Sequence, residues 1–369
     1  MSKLRVGVVG AGHLGRIHAR LLAAMPEVQL VAVADPVLEA REAVAEESHT
    51  MAVADYTKLL GRIDAAVVAT PTSLHHAIAC ELLRCGVPVL VEKPLAATVA
   101  QAQEIVALAR KHRLPVQVGH VERFNPALTA ALPHLEGPRY LESVRAGAFT
   151  FRSVDVGVVL DLMIHDIDIV LSLVDSPVSR VEAIGLAVLG QHEDVAQARL
   201  EFANGCVANL SASRISHVQR RQLHGWAERA LVAVDMANRA ATVTEPSSQV
   251  LQHAVDVERM NPAERLHYKD HLMNEHLPQR ALDVEARNAL GDELANFLAA
   301  VRGHETLRVP AEDGLAALEI AHRILEQIEL HVWEAATDGP VGRLGASAPS
   351  ILRGPHWSHV QRPARREAV

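Results

Sequence analysis

The chain has 369 residues, with 36 Lys and Arg against 44 Asp and Glu, for a formal charge of −8. That length predicts two domains, and 49% hydrophobic with 22% charged residues fits a soluble globular protein rather than a chain disordered throughout. Net acidity argues against a dedicated nucleic-acid or anionic-membrane binder, and 3% aromatics weakens base stacking as a binding mode.

Leu4 to Val9 is a Val-rich run that reads as a strand buried on both faces, and its glycines argue against a signal peptide. A helical pattern follows over Leu14 to Ala24. Further buried runs are Leu30 to Ala34, closed by Asp35-Pro36, and Ala65 to Ala69, closed by Thr70-Pro71-Thr72. Val87 to Val91 is closed by Glu92-Lys93-Pro94, and a helix over Val99 to His112 leads to a strand at Val116 to Gly119. Strands alternating with helices predict βαβ units and a parallel sheet. Cys80, Cys85 and Cys206 are three cysteines without a CxxC pair. They predict neither a disulfide framework nor a zinc ribbon, fit a reducing, cytoplasmic location, and place Cys80 and Cys85 in core packing. No apolar stretch has the length of a membrane helix.

The pattern changes near Arg123. Tyr140 to Phe149 reads as a strand and Val158 to Leu173 as a helix. Runs at Val181 to Leu189, Ala196 to Phe202, Val207 to Ala212 and Ala230 to Asp235 follow, with a strand also at Arg220-Arg221 and a hairpin signal at Asn204-Gly205. This predicts a second, α+β domain with an open, largely antiparallel sheet. Residues 246–283 read as a polar surface excursion with short helices. Helical periodicity returns over Val284 to Ala300 and Glu312 to Ala335, and a Gly/Pro/Arg-rich extension follows. The expected division is 1–122, 123–335 and a flexible extension 336–369. The overall class is α/β, a dinucleotide-binding domain of Rossmann type followed by the α+β domain.

Gly10-Ala11-Gly12-His13-Leu14-Gly15 matches G-x-G-x-x-G between a strand and a helix. The first glycine permits the turn and the second lets a pyrophosphate approach the backbone. The third permits close helix–strand packing, and the helix N-terminus favours the phosphate charge. Asp35, twenty residues beyond Gly15 and ending the second strand, is placed to accept the ribose hydroxyls of NAD and to repel the extra phosphate of NADP. On a helix, Asp161, His165 and Asp168 share one face.

Thr70-Pro71-Thr72 with His75, Glu92-Lys93-Pro94, and Gly157-x-x-x-Asp161-x-x-x-His165-x-x-Asp168, taken with the glycine loop, resemble the Gfo/Idh/MocA family of NAD(P)-dependent dehydrogenases over residues 4–335. The resemblance implies oxidation or reduction at a hydroxyl-bearing carbon of a sugar or cyclitol, and a homo-oligomer, dimer or tetramer, often built on the open sheet. It implies that Gly10, Gly12, His13, Leu14, Gly15, Asp35, Thr70, Pro71, Thr72, His75, Glu92, Lys93 and Pro94 line the NAD site. It makes Lys93, Asp161 and His165 the catalytic set, with no metal. His165 can take the hydroxyl proton, Lys93 can stabilise an alkoxide, and Asp161 can hold the imidazole or a substrate hydroxyl. Which of Lys93 and His165 is the base stays open. Lys93–Pro94 is a candidate cis peptide.

Gly119-His120-Val121-Glu122-Arg123-Phe124-Asn125-Pro126 is similar to the branch containing UDP-N-acetylglucosamine 3-dehydrogenases. That narrower resemblance implies oxidation of the sugar C3 hydroxyl to a ketone, which a PLP aminotransferase then aminates on the way to lipid A. Arg123, Asn125, Lys93, Asp161, His165 and Arg214 are then the substrate-binding candidates, with Arg220 and Arg221 as further cations for a UDP group. Gly225 to Arg229 and residues 246–283 depart from the family pattern. The alternatives are the same chemistry on a free sugar, inositol or sugar phosphate, and an NAD-binding sensor without turnover. The retained catalytic set argues against the sensor.

Overall fold

Val6, Val8, Ala65, Ala66, Val67, Val68, Val89, Leu90 and Val91 have no exposed surface, as expected where β-branched runs form strands covered on both faces. In the computed structural model, which describes residues 2–151, 156–333 and 341–345, these runs build a six-stranded parallel sheet. Its strands are β1 (Leu4–Val9), β2 (Val28–Ala34), β3 (Met51–Val53), β4 (Ala65–Val68), β5 (Val89–Glu92) and β6 (Val116–Gly119). The order is β3-β2-β1-β4-β5-β6. Connections run through α1 (His13–Ala24), α2 (Leu38–Glu47), α3 (Thr72–Arg84) and α4 (Val99–His112). Strand order reverses between β1 and β4, so the loops after these strands open a crevice at the carboxyl end of the sheet.

A short 3-10 turn at Val121–Phe124 and α5 (Pro126–Ala131) lead into an eight-stranded mixed sheet. Its members are β7 (Tyr140–Ala146), β8 (Val178–Leu186), β9 (Val195–Phe202), β10 (Val207–Ser213), β11 (Arg220–Trp226), β12 (Leu231–Asp235), β13 (Ala240–Thr244) and β14 (Gln279–Ala281). The order is β14-β13-β12-β11-β7-β10-β9-β8, with every pairing antiparallel except β7 with β10. The helix α6 (Ile164–Leu173) and the long α10 (Ala311–Leu330) lie on one face. Residues Val144, Ile184, Asn209 and Ser211 are partly exposed on the other.

Helix α10 buries Gly314, Ala317, Leu318, Ala321, Ile324 and Ile328. Their helical spacing makes one apolar stripe, which packs against α4, α6 and β8. One continuous core therefore runs through both sheets. The expected division at 122 is crossed a second time. Helix α9 (Ala289–Val301) sets Leu294, Phe297 and Leu298 against Val6, Val8, Leu22, Val67 and Leu90 of the first domain.

Other sequence expectations need correction. The helix expected from Val158 opens as a π-helical turn, Val159–Met163, before α6. The helix expected from Val284 begins at Ala289 because Asn288 caps it, accepting the Gly291 N–H. Cys80 is buried, but Cys85 is exposed where α3 ends. The polar excursion carries α7 (Ser248–Leu251), α8 (Pro262–His271) and the edge strand β14. Most of the expected extension lies outside the described residues. Residues 341–345 are packed, with Arg343 pairing with Glu329 at 2.6 Å and donating to the Gln191 carbonyl at 2.8 Å. No helix of the described residues is long and apolar enough to cross a membrane.

Gly15 lies against Gly10, where an added Cβ would collide with the Gly10 carbonyl oxygen. Backbone cannot swing aside as a flexible side chain can. Gly15→Ala should therefore lower stability by about 1–3 kcal/mol, read from the urea midpoint. An unchanged midpoint would contradict the packing role.

Candidate active site

The glycine loop is held from below. Gly10 takes φ +103, a conformation that glycine adopts without penalty, and its N–H reaches the Ala34 carbonyl at 2.8 Å. Asp35 accepts the N–H of Ala11 and that of Val37, each at 2.8 Å. It thus fixes the loop while its carboxylate stays partly exposed at the end of β2. Gly12 caps α1 without a side-chain hydrogen bond, and the space a Cβ would fill there is open. The orphan N–H groups of the first turn of α1 adjoin that space, a cradle that suits a dinucleotide pyrophosphate.

The neighbouring loop carries Thr70, Pro71 and Thr72. His75 does not line the crevice; it is buried behind it, with Nδ1 2.9 Å from the Pro94 carbonyl and Nε2 2.9 Å from that of Thr70. Burial pushes its pKa down against the pull of both carbonyls, so the ring is neutral and donates to one of the two. Glu92 is also turned inward, 2.7 Å from His18 Nε2 on α1. The Lys93–Pro94 peptide is cis.

Lys93 leaves the end of β5 and meets the π-helical turn of the second domain. Its Nζ donates to the Asp161 carboxylate at 3.0 Å and to the Asp161 carbonyl at 2.6 Å. Asp161 therefore orients the lysine, not the imidazole. The turn is anchored by Glu193, which accepts the Val159 N–H at 3.1 Å and fills the space a side chain on Gly157 would need.

His165, partly exposed, stands one turn on, with Nδ1 enclosed and without a partner. Burial, then Lys93, Arg145, His120 and Arg221, hold its pKa well below the usual 6.5. The imidazole is neutral at neutral pH and can accept a proton. His120, from the end of β6, sets its ring edge-on to His165 with centroids 5.9 Å apart. Burial, then Lys93 and Arg123, push His120 down to about 3.

Beneath this pair lies a charged clamp that the sequence did not reveal. Arg145 of β7 is buried, donating to both oxygens of Asp166 at 2.9 and 3.0 Å and to Glu122 at 2.8 Å. Burial works to raise the Glu122 pKa, and Arg145, by charge and hydrogen bond, more than offsets it.

Three residues expected at the substrate are engaged in the framework instead. Arg123 contacts Asp168 at 3.3 Å and Asp313 at 3.5 Å and donates to the Arg308 carbonyl at 3.1 Å, while Arg308 donates to the Arg123 carbonyl at 3.1 Å. Asn125 caps α5 and donates to Glu122 and to the Met236 carbonyl. Arg214 is bound to Asp194 at 2.6 Å and to the Val156 carbonyl at 2.8 Å, under the ring of Phe149. Arg221 remains available at 46% side-chain exposure, 3.6 Å from Glu122 and among the charges acting on His165. Asp168, expected beside Asp161 and His165, is buried, and burial raises it to about 7 against the opposing pull of Arg123.

The chain is similar to known proteins in both of its domains. The family model "Oxidoreductase family, NAD-binding Rossmann fold" matches residues 4–120, and "GFO/IDH/MocA C-terminal domain" matches residues 135–230. The UDP-N-acetylglucosamine 3-dehydrogenase of Acidithiobacillus ferrooxidans is 32% identical over 330 residues, 89% of this chain and 98% of that protein. Its solved structure superposes with a TM-score of 0.77 at 31% identity, covering 89% of this chain and 98% of that one. The inositol 2-dehydrogenase of Rhizobium meliloti is 26% identical over 351 residues, 88% of this chain and 97% of that protein. Levoglucosan dehydrogenase, solved with NADH and levoglucosan, shares the fold at a TM-score of 0.74 and 18% identity, over 88% of this chain and 97% of that one.

Replacing Arg145 by Met would strand two buried carboxylates. The expected cost is about 3–5 kcal/mol, measured by denaturant unfolding at neutral pH. A loss below 1 kcal/mol would show that the clamp is not what holds Glu122 and Asp166.

Proposed function

The chain belongs to the Gfo/Idh/MocA family of NAD-binding oxidoreductases, and from that premise we propose that it oxidises the C3 hydroxyl of UDP-N-acetylglucosamine to the 3-keto sugar nucleotide. The observation that carries the chemistry is the Lys93–Asp161 pair at 3.0 Å beside a partly exposed, neutral His165 at the carboxyl end of the parallel sheet. The substrate rests on the near-full-length similarity to the Acidithiobacillus enzyme and on Arg221, an exposed cation beside His165.

NAD held by the glycine loop and Asp35 would supply the hydride acceptor. The chain's residues do the rest. His165, held neutral by its surroundings, is the group that takes the hydroxyl proton. Lys93, with two hydrogen bonds to Asp161 fixing its ammonium, donates to the sugar oxygen and stabilises the charge that develops there. Arg221 binds the diphosphate. The ketone would pass to an aminotransferase of the PLP type, and the open face of the eight-stranded sheet would pack against a second copy. The inositol reading keeps the same residues and is favoured by the full-length similarity to inositol 2-dehydrogenases.

Purified protein with NAD should form NADH on UDP-N-acetylglucosamine, most readily with an aminotransferase and amino donor removing the ketone. Turnover on inositol alone would replace the substrate. Lys93→Ala and His165→Ala should each lower kcat by about 100- to 10,000-fold; full activity in either would remove that residue from the chemistry. Arg221→Ala should raise KM for the UDP-sugar by about 10- to 100-fold and leave turnover of an uncharged sugar alone. Because the His165 pKa is depressed, the base stays ready as pH falls through 6.5. The acidic limb of kcat/KM should therefore lie below pH 6.5, and a limb at or above 6.5 would exclude His165 as the base.

A further inference from the structure

Directly behind Lys93, the chain buries three titratable groups from three separate elements. His18 of α1 and Glu293 of α9 have no exposed surface, and Glu92, the last residue of β5, is 6% exposed. One side-chain atom from each lies within 4.8 Å of the others. His18 Nε2 and Glu92 are 2.7 Å apart. Both carboxyl oxygens of Glu293 lack any hydrogen-bond partner. Its backbone is nevertheless pinned, because Gln117 of β6 donates to the Glu293 carbonyl at 2.8 Å.

Two carboxylates this close and this dry cannot both ionise cheaply. The surroundings decide which keeps the proton. Glu92 faces His18, Lys93 and His75, and burial, which would raise its pKa, is outweighed by the His18 hydrogen bond and by its charged surroundings, Lys93 among them. Glu293 faces Glu92 and Asp168 and no cation, and burial, then those two groups, raise its pKa well above the usual value. Asp168 is itself turned to Arg123. So the negative charge sits on Glu92 and the proton on Glu293. His18 Nδ1, on the far side of the ring from Glu92, has no partner.

We propose that Glu293 is a positioning residue, a buried carboxylic acid that offers its proton to Glu92 through one water, so that Glu92 is held between α1 and α9 and the strand end carrying Lys93 is fixed. The arrangement joins the helix that follows the glycine loop to the strand that presents the lysine. Gly119 has no side chain where Glu92 lies; an added Cβ would be 2.7 Å from Glu92 Oε2. The proposal rests on Lys93 being catalytic, but its protonation claim can be read without turnover.

The test uses the full-length protein. A carboxyl whose folded pKa is raised contributes its stability in full below the unfolded value, 4.5, and loses it as pH rises towards the folded one. Glu293→Gln copies the protonated form. Its melting temperature relative to wild type should rise as pH increases above 4.5. A difference that falls with pH instead would mean that Glu293 is an ionised partner and would overturn the proposal. So would a divalent metal that co-purifies with wild type and is missing from Glu293→Gln. In kinetics, Glu293→Ala should lower kcat on the order of 10- to 100-fold with KM little changed, and Glu293→Gln should recover most of that loss. An equal loss in both would remove the link to Lys93 while leaving the melting result standing. Inactive wild type with the predicted melting trend would instead place the error in the substrate reading.

Discussion

A partly buried ion pair joins the parallel sheet to the second domain. Lys93 follows the end of β5 in the parallel sheet and Asp161 lies in a π-helical turn of the second domain, and they meet at 3.0 Å. Much of the local architecture serves to hold its two ends. Glu92 and His18 brace the lysine from within the first domain. Glu193 anchors the aspartate's turn and requires Gly157 beside it. A lysine on a four-carbon stem is a poor catalyst if it roams. Two hydrogen bonds to one residue remove that freedom before a substrate arrives.

The second organising feature is charge in low-dielectric surroundings. Arg145, with Glu122 and Asp166, forms a buried triad in the second domain. Such triads are weak sources of stability and strong constraints on geometry once formed. Here the triad ties the start of the second domain, strand β7 and helix α6 into one unit. Burial first, then Lys93, Arg145, His120 and Arg221, keep the His165 imidazole neutral. A chain with a charge of −8 still leaves one half-exposed cation, Arg221, among the charges acting on His165.

Much of this was legible in the sequence. The Val-rich runs fixed the parallel sheet because strands buried on both faces need little else, and Gly10-Ala11-Gly12-His13-Leu14-Gly15 with Asp35 announced the dinucleotide crevice. Lys93, Asp161 and His165 were readable as a set only through family resemblance. Spacing alone put Asp161, His165 and Asp168 on one helical face, and the π-helical turn at Val159–Met163 gave Asp161 to Lys93, while Asp168 went to Arg123. Arg123, Asn125 and Arg214 were read as substrate groups, yet each found a partner in the framework. A sequence names a cation but not the carboxylate that folds onto it. His18, Arg145 and Glu293 carried one faint signal, a polar residue at a position where the apolar pattern expects burial. The return of α9 to the first domain had none, since its apolar stripe fits either sheet.

On the function proposed above, the cleft between Lys93 and His165 holds carbon 3 of a UDP-linked sugar where its hydride would pass to NAD. Single-turnover formation of NADH from UDP-N-acetylglucosamine deuterated at carbon 3, followed beside the same sugar deuterated at carbon 4, tests it most directly. The account predicts a slowed transfer with deuterium at carbon 3 and an unchanged rate with deuterium at carbon 4. NADH formed at equal rates from both, or formed from inositol and from no UDP-sugar, would contradict it.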